Sequence, residues 1–359
     1  MQRRLKLCLA LYTALCLMIF LFTACGNSED STEPVPVVAQ TTTVEPKITI
    51  PVTPEPVVVE EPVEIEDDFS LPGKGIRPMA VMIDNEGTRV LPQGGLDKAQ
   101  IVYEIIVEGG LTRLMPVFWG TEPEMIGPVR SARDYFLDYS MEFDAIYVHF
   151  GGSPQAGKDI KKYKINEIDG LYLGPDVFWD LTKDRGNWQD SYTSMEKLKA
   201  YAQKKKFSET PQAQFPFTYN QKDEALGAGK DASVITLKYP SMTSKYEYDS
   251  TTGLYKRFRY GKEHMERVTE KQFTAKNIIV QYVPNYDIKG DSAGRQSMTT
   301  TGSGKGYFIT GGKVIDLKWS KESRTAQTKY TDDTGNPITL NRGQTWIQIM
   351  PMAAKVTIE

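Results

Sequence analysis

The sequence predicts an α/β N-terminal domain, a mixed sheet with flanking helices, followed by a mainly-β C-terminal domain. Two patterns point there. Between residues 70 and 225, short apolar runs at 78–84, 101–108, 111–119 and 145–150 alternate with stretches of helical period at 126–143, 154–162 and 194–206. From residue 226 to 359 the helical period gives way to alternating β segments separated by turn residues. A chain of 359 residues with 40% hydrophobic content can fill two cores.

Neither domain absorbs the first 69 residues. Arg3, Arg4 and Lys6 precede an apolar run from Leu7 to Phe22, short for a spanning helix, that closes in Thr23, Ala24 and Cys25. Residues 1–25 therefore read as a lipoprotein signal peptide with a lipobox-like cleavage site. The usual lipobox leucine is displaced by one, standing at Leu21 with Phe22 in its place. Lipidation is expected on Cys25, with palmitate-type chains anchoring the exported protein to the outer face of the cell membrane. Cys8 and Cys16 leave with the signal, so Cys25 is the sole cysteine of the mature chain, and disulfides and cysteine-based zinc sites are excluded.

Residues 26–69 carry seven prolines and, up to Asp68, eleven acidic side chains against Lys47 alone. Self-repulsion and proline both extend such a segment, and it reads as a disordered acidic tether. With signal and tether set aside, the body is mildly basic. That is too little charge to argue for nucleic acid, and export argues against it as well. Anionic lipid, glycan, peptidoglycan-related ligands and envelope proteins remain open partners.

Within the N-terminal domain, residues 78–84 read as a buried strand that ends in Asp84 and Asn85. Residues 101–108 and 111–119 read as a hairpin around Gly109 and Gly110. A two-residue turn there sets Ile106 opposite Arg113 and puts Glu104, Glu108 and Arg113 on one face. Ser131 and Asp134 form a capping-box pattern, which starts a helix beside Arg130 and Arg133. The strand at 145–150 carries His149 and runs into Gly151, Gly152, Ser153 and Pro154, a start signal for a second helix. Helix N-termini that follow strand ends are common anion sites.

These positions define the candidate anion-binding set: Arg113, Arg130, Arg133 and Ser153, with Asp84, Glu108 and His149 beside them. Two guanidiniums are able to grip a phosphate or carboxylate, and the same arginines are equally able to bridge to Asp138 or to the hairpin acids as structural ion pairs. Residues 176–207 read as a surface loop with Asp176, Asp180, Asp184, Arg185, Trp188 and Asp190, then a Lys-rich helix. The aspartates lack the spacing of a calcium loop, so no metal and no cofactor is expected.

In the C-terminal domain, strands are expected at 234–239, 245–248, 253–260, 277–283, 306–309, 313–319 and 345–349, forming a sandwich or barrel-like module. The glycines at 302–306 look superficially like a phosphate loop but lack its spacing and lead into strand. Tyr255, Arg257 and Arg259 share one alternating face. That face suits a polymer, though cross-strand packing also accounts for it.

In order along the chain stand RPMAVMIDN, IVYEIIVEGGLTRLMPVF, IGPVRSARDYFLDYSMEFDAIYVHFGGSPQA and SYTS. Together they resemble the YerB-like lipoproteins, a bacterial family with a YerB-type N-terminal domain, a separate C-terminal domain and no assigned biochemical function. The resemblance covers nearly all of residues 75–352. The family commonly carries a His-Asn pair before its Tyr-Thr-Ser, whereas here Gln189, Asp190 and Ser191 stand there, so the resemblance implies no histidine-dependent chemistry at that place.

The resemblance and the residues together lead to the expectation of a membrane-anchored, non-enzymatic lipoprotein that binds an anionic envelope ligand or protein partner. No complete catalytic set is visible. The alternative is an envelope enzyme or carrier for phosphorylated lipid or glycan, faintly similar to the LytR-CpsA-Psr transferases. A deep apolar tunnel beneath the arginines would suit that alternative, and a shallow polar cleft would suit binding.

Overall fold

The apolar run at 78–84 forms two short strands, β1 (Met79–Val81) and β2 (Ile83–Asp84). The hairpin follows as β3 (Ile101–Ile106) and β4 (Thr112–Phe118), then helix α1 (Asp134–Met141), β5 (Ile146–His149), helix α2 (Pro154–Tyr163), β6 (Glu167–Asp169) and helix α3 (Met195–Lys204). Beyond residue 225 come β7 (Val234–Tyr239), β8 (Met242–Asp249), β9 (Leu254–Arg259) and β10 (Asn277–Val283). A small hairpin of β11 (Asn285–Asp287) and β12 (Gln296–Met298) is followed by β13 (Gly302–Thr310), β14 (Lys313–Lys321), β15 (Thr345–Pro351) and β16 (Lys355–Ile358). The computed structural model describes residues 69–183 and 190–359, which lie within one unit, Glu64–Glu359. The signal peptide, Cys25, the tether up to residue 68, Asp184, Arg185, Trp188 and Gln189 fall outside the described residues.

A 12-stranded sheet dominates, with β14, β13, β10, β15, β3, β4, β1, β5 and β6 as consecutive neighbours. The chain crosses residue 225 inside this sheet: β15 lies parallel to β3, with Trp346 beside Val102 and Gln348 beside Glu104. A mixed sheet with flanking helices and a strand-rich C-terminal region are both present. The self-contained sandwich or barrel is not. Its strands divide, because β10, β13, β14 and β15 extend the N-terminal sheet, while β16, β7, β8 and β9 form a second sheet.

The second sheet covers one face of the first. Tyr239 and Tyr246 on β7 and β8 meet Gln348 through hydrogen bonds, and the Arg257 guanidinium lies 4.4 Å from the centre of the Trp346 ring. The opposite face is covered by α1, whose Tyr139 packs 5.1 Å from Tyr103 on β3. Helix α1 is clamped from outside as well. Buried Lys321 pairs with buried Glu142 at 2.6 Å, and Arg324 bridges Asp138 at 2.8 Å and Asp159 at 2.7 Å. Burial raises the Asp138 carboxyl to about 6 even so, against the pull of Arg324 and Thr300.

The hairpin register is one residue off the expected one. Residues 108–110 close a three-residue turn, with the Val107 N–H donating to Leu111 O, so Ile105 opposes Arg113 and Glu104 opposes Leu114. Two successive glycines at φ 67° and 72° allow the longer turn. Since directly opposed residues share a face, Glu104 and Arg113 point to opposite sides of the sheet. The expected cluster of Glu104, Glu108 and Arg113 is therefore split, with Glu104 under the second sheet and Arg113 on the side of α1.

Helix starts divide likewise. Ser153 caps α2 and accepts from the Ala156 N–H, with Pro154 in the first turn. Ser194 caps α3 in the same way. Ser131 caps nothing, because α1 begins at Asp134 with Arg133 as its extended N-cap residue and no side-chain cap. The chain at 129–132 is held in bridges instead: Ala132 pairs with Gly152, and the Arg130 N–H donates to Met82 O.

Candidate anion-binding site

Between the β2–β4 edge and the hairpin turn lies a cleft of about 390 Å³. Its walls bring together Asp84 from the end of β2, Glu108 from the turn, Arg113 from β4, and Arg130 and Arg133 from the chain leading into α1. Five of the seven candidate residues thus meet in one place. Two side chains missed at the sequence level join them, Glu86 and Arg295. Glu86 stands two places after Asp84 in the same turn, a nearness visible in the sequence. Arg295 ends the turn of the β11–β12 hairpin, and nothing local signals that this turn folds onto a cleft made by residues 84–133.

His149 and Ser153 do not line the cleft. The His149 ring is buried, with Nδ1 2.9 Å from Gly151 O and Nε2 2.9 Å from Glu167 Oε2. Ser153 is committed to its cap. Both belong to the β5–α2–β6 crossover, which places Gly152 beside Ala132 but directs these two side chains elsewhere. Farther off, Asp180 accepts from the Ser191 hydroxyl and Asp190 from the Thr182 N–H and hydroxyl, so these two aspartates are engaged within their own segment.

The arginines differ in how much of their hydrogen-bonding capacity is taken. Arg133 makes a bidentate pair with Glu108, Nε to Oε1 at 2.5 Å and Nη2 to Oε2 at 2.9 Å, and its Nη1 donates to Ala132 O. Arg130 pairs with Asp84 at 3.0 Å and lies 3.7 Å from Glu86. Arg113 is 6% exposed, donates one hydrogen bond, from Nη1 to Ser131 O, and lies 3.7 Å from Glu108. A guanidinium carries five N–H donors, so Arg113 retains most of its capacity at the cleft wall. Arg295 is held from outside the cleft by Asp291 at 2.9 Å.

The electrostatics follow from burial and crowding. Burial pushes Arg113 down to about 10, and the Arg133 charge adds to this against the pull of Glu108, leaving it charged at neutral pH. Arg130 is lowered by burial too, opposed by Asp84 and Glu86. Burial raises the Glu108 carboxyl, but the hydrogen bond from Arg133 and the charges of Arg133 and Arg113 outweigh it and hold it below its ordinary value. A crowded, partly desolvated cation cluster of this kind is stabilised by an incoming anion.

The floor of the cleft is held by the C-terminal half. Arg259 donates to Asn85 O and, at 3.1 Å, to Gly87 O. Arg257 donates to His264 Nδ1, which leaves the ring proton on Nε2 to donate to Gln93 Oε1, and the Gln93 amide in turn donates to Asp84 O and to Asn85 Oδ1. Burial, then the charges of Arg257 and Arg259, drive His264 well below its ordinary value and keep it neutral. The alternating Arg257–Arg259 face is therefore buried and fixes the turn that carries Asp84 and Glu86. It is not open to a polymer.

Two family models match this chain, the N-terminal domain of the protein of unknown function DUF3048 over residues 71–208 and its C-terminal domain over residues 235–347. The chain belongs to the DUF3048 family. Among DUF3048 proteins it is 33% identical over 281 residues to YerB of Bacillus subtilis (strain 168), which carries the name of a lipoprotein; the match covers 77% of this chain and 81% of that one. The crystal structure of the Bacillus subtilis YerB protein superimposes with a TM-score of 0.69 at 30% identity, covering 79% of this chain and 94% of the other. The YerB-like resemblance and the mixed fold are thereby established, and the family description assigns no function. Among the described residues no helix is long and apolar enough to cross a membrane, and no group of three or more His, Cys, Asp or Glu is placed to hold a metal.

Proposed function

We propose that this DUF3048 protein is a membrane-anchored extracytoplasmic lipoprotein whose cleft binds an anionic envelope ligand, with Arg113 and Arg130 as the principal contacts. The observation that carries the reading is Arg113: a buried guanidinium on the wall of a 390 Å³ cleft, with a single hydrogen bond of its own. Arg133 is assigned a different task. Its bidentate hold on Glu108 fixes the hairpin turn against the start of α1, so it shapes the cleft rather than waiting for a ligand.

Binding without catalysis is favoured by the state of the acids. Glu108, held below its ordinary value, is a poor proton acceptor at neutral pH, and Asp84 faces Arg130 at 3.0 Å. The walls are chiefly charged, with Val107, Leu111 and Ala293 as the apolar side chains, which suits a polar headgroup more than a lipid tail. The anchor is assigned to a diacylated Cys25, on the signal pattern and the lipoprotein name of the relative. Mass spectrometry of the native N-terminus tests it, and an unmodified Cys25 or a mature start elsewhere refutes it.

Thermal-shift measurements with muropeptides, a glycerol phosphodiester and N-acetylalanine, beside pyrophosphate and undecaprenyl phosphate mimics, test the cleft. At least one anion is expected to raise the melting temperature of the wild type, and Arg113→Ala and Arg130→Ala are expected to lose that shift. No shift with any anion would overturn the reading.

A further inference from the structure

The charges of the cleft restrict which anions fit it. Four arginines on its walls (Arg113, Arg130, Arg133 and Arg295) face three carboxylates (Asp84, Glu86 and Glu108). The walls therefore hold one positive charge in excess, with Asp291 pairing with Arg295 from behind the cleft rather than lining it. The arginines are crowded, yet they are not a reservoir of uncompensated charge. A ligand with two or three negative charges brings more charge than the cleft is able to neutralise, in surroundings where water screens poorly.

We infer that the ligand is a singly charged anion, of the phosphodiester or carboxylate kind, and that Glu86 is the residue whose charge excludes phosphomonoesters and pyrophosphate. The inference rests on the reading of the cleft as an anion site and names the ligand class for it. Glu86 is singled out by geometry. Asp84 and Glu108 are each within 3.0 Å of an arginine, and their side chains are 2% and 20% exposed. The Glu86 carboxylate is 44% exposed and stands 3.7 Å from Arg130, beyond hydrogen-bonding distance. It is the loosest of the three acids, closest in kind to an anion resting on the arginines, and the one a ligand displaces with least loss.

The test compares two probes of nearly equal size, glycerol 3-phosphate and its methyl phosphodiester, by titration calorimetry on the full chain at constant ionic strength and pH 7.5. N-acetylalanine serves as the carboxylate and pyrophosphate as the most highly charged ligand. The wild type is expected to bind the diester or the carboxylate about tenfold tighter than the monoester, a preference of the size that one poorly screened charge produces. The stronger of the two singly charged probes identifies the source chemistry. Glu86→Gln is expected to narrow that preference severalfold by strengthening the monoester, with a melting temperature close to wild type because the side chain is half exposed and makes no short contact. A wild type that prefers glycerol 3-phosphate or pyrophosphate overturns the charge rule and leaves the anion site standing. A preference that Glu86→Gln fails to narrow overturns the role given to Glu86. Absence of binding by every probe overturns the site itself.

Discussion

Arg257 donates a 2.7 Å hydrogen bond to Glu104 with both side chains fully withdrawn from water. The pair joins β9 of the second sheet to β3 in the first, and Ser244, Tyr246, His264, Asn85 and Thr112 satisfy the remaining polar atoms around it. A buried pair of this kind is costly to break and cheap to replace. Arg257→Met, which strands the Glu104 carboxylate, is expected to cost about 3–5 kcal/mol in urea unfolding. Glu104→Leu with Arg257→Met together are expected to recover most of that loss. Equal destabilisation by the single and double variants would contradict the pairing.

Because β15 lies inside the first sheet next to β3, the halves on either side of residue 225 are expected to unfold together. Denaturation followed by tryptophan fluorescence and by far-ultraviolet circular dichroism should give one coincident transition. A protease nick between residues 210 and 231 should leave two fragments that co-elute on gel filtration. Separate transitions, or fragments that part without denaturant, would show two independent domains.

Gly110 sits at φ 72°, and a β-carbon there would come within 2.7 Å of Pro240 and 2.9 Å of the Ser241 hydroxyl. Gly110→Ala is expected to cost roughly 1–3 kcal/mol through backbone strain and displacement of the 240–241 turn. Gly109→Ala, at φ 67° with nothing within 4 Å, is expected to cost less. Denaturant midpoints for the two variants check the order, and a reversed order would contradict the packing of the turn.

Acid lability has two sources with separate windows. His264 is held neutral in the fold, so below its ordinary value of 6.5 the unfolded chain takes up a proton that the folded one refuses, and stability falls as the pH drops from there. Glu108 has a folded value below its ordinary 4.5, so its contribution is present above 4.5 and is lost as the pH falls through the lower value. Asp138, raised to about 6 by burial, works in the opposite sense because the fold takes up its proton first, so the test is a difference: stability should fall less between pH 7.5 and 5.5 in His264→Gln than in the wild type. An unchanged slope between pH 7.5 and 5.5 in that variant would contradict a neutral His264.

Much of this was legible in the residues because the signals were local. Ser153 before Pro154 and Ser194 before Met195 both cap helices, since a hydroxyl at that place meets an unpaired N–H whatever the rest of the chain does. The convergence of Arg113, Arg130 and Arg133 was legible for a similar reason, as a hairpin strand and the entry to the next helix lie close in the chain. The hairpin register was not. Two glycines close a two-residue or a three-residue turn equally well, and the choice is made by Pro240 and Ser241, which pack on Gly110 from 130 residues away. Arg257 and Arg259 were misleading for the same cause. Their partners Glu104, Asn85 and Gly87 are remote in sequence, so an alternating basic face looked open when it is the inner face of a covered sheet.

The central claim is that Arg113 serves a ligand while Arg133 serves the fold, and titration calorimetry of the two alanine variants beside their melting temperatures tests it most directly. With the best-binding of the phosphate and carboxylate probes, Arg113→Ala should weaken binding about tenfold to a hundredfold, the loss of a charge-assisted contact worth roughly 1.5–3 kcal/mol, and melt near the wild type. Arg133→Ala should melt several degrees lower, because it leaves the partly buried Glu108 carboxylate without its bidentate partner. A wild type that binds no anion, with Arg113→Ala as unstable as Arg133→Ala, would contradict the account and make all of the cleft arginines structural.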